Sequence, residues 1–139
     1  MLETAPFFTD IAPLPETGQA HWAETSDGKK LRVAHWPLDG AKGTVLLFPG
    51  RTEYVEKYAM TASAFAKKGL AVMAIDWRGQ GLSDRLISDR NIGHVDVFSD
   101  YQKDVAAMMR TARALQLPRP YFLLAHSMGG AIGLRACME

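Results

Sequence analysis

The chain has 139 residues, 47% of them hydrophobic, with 16 basic against 15 acidic side chains and a formal net charge of +1. That length fits one domain with a core of ordinary size, and the balanced charge, with no long run of either sign, excludes the electrostatic footprint of a nucleic-acid binder. A single cysteine, Cys137, excludes an intramolecular disulfide, fits a reducing compartment and reads as a small core residue.

Residues 1–19 read as an irregular N-terminal extension, cut by Pro6, Pro13 and Pro15, with neither a hydrophobic period nor the basic start of a signal peptide. The apolar runs at 45–48 and 70–75 fall far below the roughly 18 residues of a membrane-spanning helix. The protein is therefore expected to be soluble and cytoplasmic, with any membrane contact peripheral.

From residue 20 onward the pattern is that of a structured domain. Two half-apolar runs, 21–25 and 31–36, flank Ser26-Asp27-Gly28-Lys29, and an Asp-Gly pair in that position predicts an antiparallel hairpin. Beyond it, short continuous apolar runs at 44–48, 70–75 and 121–126 alternate with amphipathic segments near 54–68 and 99–115. Buried strands alternating with helices predict an α/β fold with a mostly parallel central sheet covered on both faces. The second helix rests on Phe98, Tyr101, Val105, Met108, Met109, Ala112 and Leu115, which recur at helical spacing, and on Ser99 with Gln102 as a capping box. Lys67-Lys68-Gly69 reads as the end of the first helix.

The segment Gly79-Gln80-Gly81-Leu82-Ser83-Asp84 follows a strand but carries Asp84 where a dinucleotide-binding turn needs a third glycine, and no helix pattern opens there. It reads as a structural turn that Asp76 and Arg78 hold by hydrogen bonds. No set of histidines and carboxylates has metal-ligand spacing, and no cofactor is expected.

The apolar run at 121–125 ends in Ala125-His126-Ser127-Met128-Gly129-Gly130 and passes into a helix-like segment rich in small residues. A strand that turns sharply into a helix around one serine is a nucleophile elbow. The strained turn brings the residues two before and two after the serine close together, so both must be small, as Ala125 and Gly129 are. Side chains of neighbouring residues at a strand end diverge, so His126 is expected to point away from the Ser127 hydroxyl. His94, in the long loop 82–97, is the one local residue placed to stand in as a base.

Three pieces in this order, Phe48-Pro49-Gly50-Arg51-Thr52-Glu53-Tyr54, Asp76-Trp77-Arg78-Gly79-Gln80-Gly81-Leu82-Ser83 and Ala125-His126-Ser127-Met128-Gly129-Gly130, make residues 20–139 similar to the N-terminal portion of an α/β-hydrolase. The type resembled is the lysophospholipase and monoacylglycerol lipase group, also classed with serine aminopeptidases of S33 type. The resemblance implies that the Arg51 and Met128 backbone amides form the oxyanion hole, with Gly50 letting the backbone approach and Gly129 and Gly130 supporting the elbow. Pro49-Gly50 stands where such proteins usually carry His-Gly.

It also implies a serine hydrolase that cleaves carboxylic esters of lipid-like substrates, a lysophospholipid or a monoacylglycerol, through an acyl-enzyme. Aminopeptidase, general esterase or peroxidase activity on the same fold is the alternative within that class, and a non-catalytic ligand-binding module is the alternative from another. In this fold the order is Ser, acid, His. Glu139 is the one carboxylate after Ser127 and no histidine follows it. The catalytic Asp and His, a lid and the last strands are thus expected outside these residues, and the chain by itself is expected to be truncated and nearly inactive.

Overall fold

The computed structural model describes residues 2–11 and 18–138; Met1, residues 12–17 and Glu139, with Pro13 and Pro15 of the N-terminal extension, lie outside the described residues. Among those described, six strands form one mixed sheet: β1 (Thr4–Ala5), β2 (Gln19–Glu24), β3 (Lys30–Trp36), β4 (Thr44–Phe48), β5 (Ala71–Ile75) and β6 (Tyr121–Ala125), in the spatial order β1-β2-β3-β5-β4-β6. The pairs from β1 to β5 are antiparallel, and β5, β4 and β6 are parallel. The helices are α1 (Ala59–Ala66), α2 (Tyr101–Ala114) and α3 (Met128–Met138), the first two entered through single 3-10 turns.

The predicted hairpin is present, with Glu24 opposite Lys30 and Gly28 at φ 79°, a conformation that glycine alone adopts without steric cost. Within the N-terminal extension, Thr4–Ala5 adds a strand to β2, and the Phe7 ring stands edge-on to Trp36 at 5.7 Å. Main-chain pairing and aromatic burial order a stretch whose sequence has no period.

Strand alternation divides the core into two layers. Leu31, Val33, Leu46, Phe48, Met73 and Ile75 face α2 and α3, where they meet Met108, Ala112 and Ile132. The alternate positions Ala34, Trp36, Val45, Leu47, Val72 and Ala74 meet Val55, Ala59 and Ala62 on the α1 side. Helices thus cover both faces of the sheet, and the continuous apolar runs of β4 and β5 are buried at every position.

The end of α1 is a Schellman turn: Leu70 N donates to Phe65 O at 3.1 Å, Gly69 N to Ala66 O at 3.0 Å, and Gly69 has φ 82°. The predicted capping box at the start of α2 is absent. Asp100 occupies the cap position in helical geometry without a side-chain cap bond, because a 3-10 turn over Phe98–Asp100 already leads into the helix. Gln102 instead donates from Nε2 to the Ile132 carbonyl, tying α2 to α3. Cys137 also departs from expectation: it is exposed rather than buried, since the covered residues of α3 are Gly129, Ile132 and Gly133.

The turn after β5 is a centre of buried charge. Asp76 accepts from Arg32 Nε at 2.8 Å and from the amides of Val55 and Leu82, while Ser83 donates to the Asp76 carbonyl. Arg32 also grips Glu56 through both Nη atoms at 2.6 Å. Arg78 pairs with Asp104 and with Asp27 of the hairpin turn. Ion pairs this buried fix geometry more than they add net stability. They hold the β5 turn, the hairpin and the segment leading into α1 in one register.

Candidate active site

β4 and β6 run side by side and in parallel, Leu47 beside Leu124 and Phe48 beside Ala125, so the turns that leave them emerge at the same end of the sheet. At the end of β6 the backbone of Ser127 takes φ 54°. For a residue with a side chain, that left-handed conformation costs on the order of 1–3 kcal/mol and persists only where surrounding contacts impose it. Those contacts are visible. His126 N donates to Phe48 O at 3.0 Å, and Gly129 N and Gly130 N donate back to His126 O and Ser127 O at 3.0 and 2.8 Å.

The glycines of the elbow differ in what they do. A Cβ on Gly129 would lie 2.1 Å from the Phe48 carbonyl oxygen and 2.6 Å from that of Pro49. The first turn of α3 therefore touches the end of β4, and it is this backbone, across the sheet, that excludes a side chain. A Cβ on Gly133 would lie 2.8 Å from Leu123 Cδ2. Gly130 has nothing within 4 Å of such an atom, so space does not require a glycine there. Ala125 is half-buried against the α2 and α3 side of the core.

The turn after β4 meets the elbow at Gly50, whose hypothetical Cβ would lie 3.1 Å from His126 Nδ1 and 3.3 Å from Ser127 Cβ. Trp77, 1% exposed, holds this turn by donating from Nε1 to Pro49 O at 2.9 Å, with its ring edge-on to Phe48 and Tyr101. Thr52 takes φ 64° and donates its amide to the side-chain oxygen of Gln80. Among the described residues, the bonds that shape the two turns engage the amides of Gly50, Thr52, His126, Gly129 and Gly130.

Glu53 is the residue that braces this arrangement. Its Oε1 accepts from the Gly50 amide and the Tyr58 hydroxyl, both at 2.5 Å, and lies 3.3 Å from His126 Nδ1; its Oε2 accepts from Lys57 Nζ at 2.6 Å. Burial alone would push the Glu53 carboxyl up. The bonds from Lys57, Tyr58, the Gly50 amide and His126 more than reverse this and hold it at about 2, so the brace is ionised at neutral pH. Burial and the Glu53 carboxylate in turn push the Tyr58 phenol up, keeping it a donor. Glu53, Tyr58 and Gln80 do not stand out in sequence as site residues. The one available sign is the absence of the usual histidine at Pro49, which leaves the turn in need of another support.

Among the described residues, no histidine hydrogen-bonds the Ser127 hydroxyl. His94 pairs through Nε2 with Asp96 at 2.7 Å, two residues along its own loop. His126 turns to Glu53. His21 and His35 stack on each other at 5.4 Å in β2 and β3, where burial and the neighbouring His21 push His35 down to about 4. Among the described residues no cluster of His, Cys, Asp or Glu could hold a metal ion, and no helix is long and apolar enough to cross a membrane.

Residues 39–139 match the family model described as serine aminopeptidase, S33. Lysophospholipase L2 of Escherichia coli K12 is 46% identical over 88 residues, covering 63% of this chain and 26% of that protein. Monoglyceride lipase of Rattus norvegicus is 30% identical over 118 residues, covering 82% of this chain and 36% of that protein. The chain thus spans about a quarter of the first relative and just over a third of the second. The esterase Pf2001 of Pyrococcus furiosus superposes on all of this chain with a TM-score of 0.73 at 19% identity, and the match takes in 52% of the esterase; at that identity it shows the α/β-hydrolase fold alone.

Proposed function

The chain belongs to the serine aminopeptidase S33 family, and on that premise we propose that the protein carrying it hydrolyses carboxylic esters of lipid-like substrates, lysophospholipids or monoacylglycerols, with Ser127 as nucleophile. The observation that supports this most is the left-handed Ser127 held in contact with the Gly50 turn. Ser127 Oγ forms the new bond to the acyl carbon as the carbonyl π-bond opens. The Arg51 and Met128 amides receive the resulting oxyanion, a contribution worth about 3 kcal/mol for a single donor. Collapse expels the alcohol, glycerol or a glycerophosphodiester, and leaves the acyl group on the serine. Water then releases the fatty acid.

A serine hydroxyl is a weak nucleophile until a base takes its proton. The imidazole and its carboxylate partner are supplied by parts of the protein outside these 139 residues, consistent with the limited share of its relatives that the chain spans. His126 acts through Glu53 as a positioning residue rather than as that base.

The test is hydrolysis of a lysophospholipid, a monoacylglycerol and an aminoacyl p-nitroanilide by the protein that carries the chain, with Ser127→Ala beside it. Ester cleavage lowered about a millionfold by the substitution is expected, the scale seen when a triad serine is lost. Cleavage of the anilide in preference to the esters would favour the aminopeptidase chemistry of the family description. Ester cleavage unaffected by Ser127→Ala would remove the nucleophile assignment.

A further inference from the structure

Beside the Arg51 turn lies a cavity of about 450 Å³, lined by Arg51, Thr52 and Glu53, the last paired with Lys57, and by Arg85, Arg90 and Asn91 of the loop that follows β5. Three guanidinium groups thus border one space. The buried arginines elsewhere, Arg32 and Arg78, are each matched to two carboxylates. By contrast, among the described residues Arg51, Arg85 and Arg90 form no ion pair. Arg85 donates only to neutral carbonyls, from Nη1 to Ser83 O at 3.0 Å and from Nε to Arg90 O at 3.4 Å.

Of the acidic side chains nearby, Asp76 attracts Arg85 through space, but among the described residues none comes within ion-pair distance of Arg51, Arg85 or Arg90. Asp84 accepts the Lys30 amide, Asp89 accepts the Asn91 amide, and Glu53 is held by Gly50, Lys57 and Tyr58. Burial and then the charge of Arg90 push Arg85 down against the opposing pull of Asp76, as expected where like charges lie close together. An anion in the cavity relieves that repulsion. Guanidinium groups match phosphate oxygens in geometry as well as charge.

Arg51 joins this cavity to the elbow. Its backbone sits in the turn that touches Ser127, and its side chain borders the cavity. In a lysophospholipid only the three carbons of glycerol separate the acyl ester from the phosphate. Resting on the ester-hydrolase reading of the same site, we propose that this cavity is a phosphate subsite in which Arg85, Arg90 and the Arg51 guanidinium hold the phosphodiester of a lysophospholipid while its ester lies at Ser127. A monoacylglycerol has no group for these arginines, so the cavity selects between the two substrate classes that the family leaves open.

The experiment compares kcat/KM of the protein carrying this chain for 1-acyl lysophosphatidylethanolamine and for the 1-monoacylglycerol of the same acyl chain, in the same neutral mixed micelles. The variants are Arg85→Met with Arg90→Met, and Arg85→Lys with Arg90→Lys. Loss of charge-assisted bonds to phosphate is expected to lower kcat/KM for the lysophospholipid by about tenfold to a hundredfold, mostly through KM, and the lysine pair to recover much of it. The glyceride is expected to change less than about twofold, on the scale of surface substitutions. Equal losses on both substrates, or none on either, overturn the subsite and leave the ester-hydrolase reading in place.

Calorimetric binding of glycerophosphoethanolamine, which has no acyl ester, separates the two ideas further. Arginine-dependent binding by a protein that cleaves neither ester would keep the anion site and sink the hydrolase reading. Inorganic phosphate binding as tightly as glycerophosphoethanolamine would identify a site for free phosphate and overturn the headgroup assignment.

Discussion

β4 and β6 are adjacent parallel strands of five residues, both apolar and paired along their whole length, yet they live in different environments. Every residue of β4 is buried, whereas Phe122, Leu123 and Leu124 of β6 are 48%, 41% and 41% exposed. Within these 139 residues the cause is the number of strands beside each. Among the described residues, β4 lies between β5 and β6 with helices on both faces, while β6 pairs with β4 alone. The turn after β4 is correspondingly anchored in the body of the domain, through Glu53, Tyr58, Gln80 and Trp77. The turn after β6 borrows its shape from the end of β4. Within these residues, the turn at Ser127 is tied to the end of β4 through the His126 amide.

Register partners provide the strongest test of this contrast. Leu47→Ala, at 1% exposure, is expected to cost about 2–5 kcal/mol in urea unfolding of the 139-residue chain. Its partner Leu124→Ala is expected to cost about 1 kcal/mol or less, since much of that side chain already meets water. Equal costs would mean that β6 is covered in solution, and sedimentation analysis would then reveal self-association through its exposed apolar edge.

Next in size is the seam between the two turns. Gly129→Ala drives a methyl into the Phe48 carbonyl and is expected to destabilise by about 1–3 kcal/mol, with loss of the left-handed Ser127 conformation and of esterase turnover. Glu53→Gln keeps the size of the brace and removes its charge. It is expected to lower turnover by up to about a hundredfold by letting the Arg51 amide drift, an effect read in kcat more than KM.

The same brace predicts a pH window. The carboxyl of Glu53 is held below its unfolded value, so its contribution is complete above about 4.5 and is lost as pH falls through about 2. Thermal melts of the wild type should lose stability across that window relative to Glu53→Gln. Parallel pH curves would show that the carboxylate does not support the turn. The smallest effect, with opposite sign, is expected at the next glycine: Gly130→Ala faces open space inside α3 and should stabilise by about 0.5–1 kcal/mol.

These positions also show what the sequence makes legible. The elbow can be read because its requirement is local: a small residue on either side of one serine at the end of an apolar strand. The hairpin can be read because Asp27-Gly28 sets its own backbone. Gly129 and Gly130 look alike in sequence, and only the approach of β4, some 80 residues away in the chain, separates them. Glu53 shares this fate, since its bond to His126 spans 73 residues. The capping box at Ser99 and Gln102 is absent because a 3-10 turn over Phe98–Asp100 leads into α2, and Gln102 bonds across to α3 instead. Strand composition likewise records that β6 is apolar, but not how many neighbours cover it.

The measurement that bears most directly on the account is fluorophosphonate labelling of the protein that carries this chain, followed by peptide mapping. The geometry of the two turns predicts a single adduct on Ser127, abolished in Ser127→Ala and weakened in Gly129→Ala, where the elbow is displaced from the Gly50 turn. An adduct on a different serine, or labelling that survives Ser127→Ala, would contradict it.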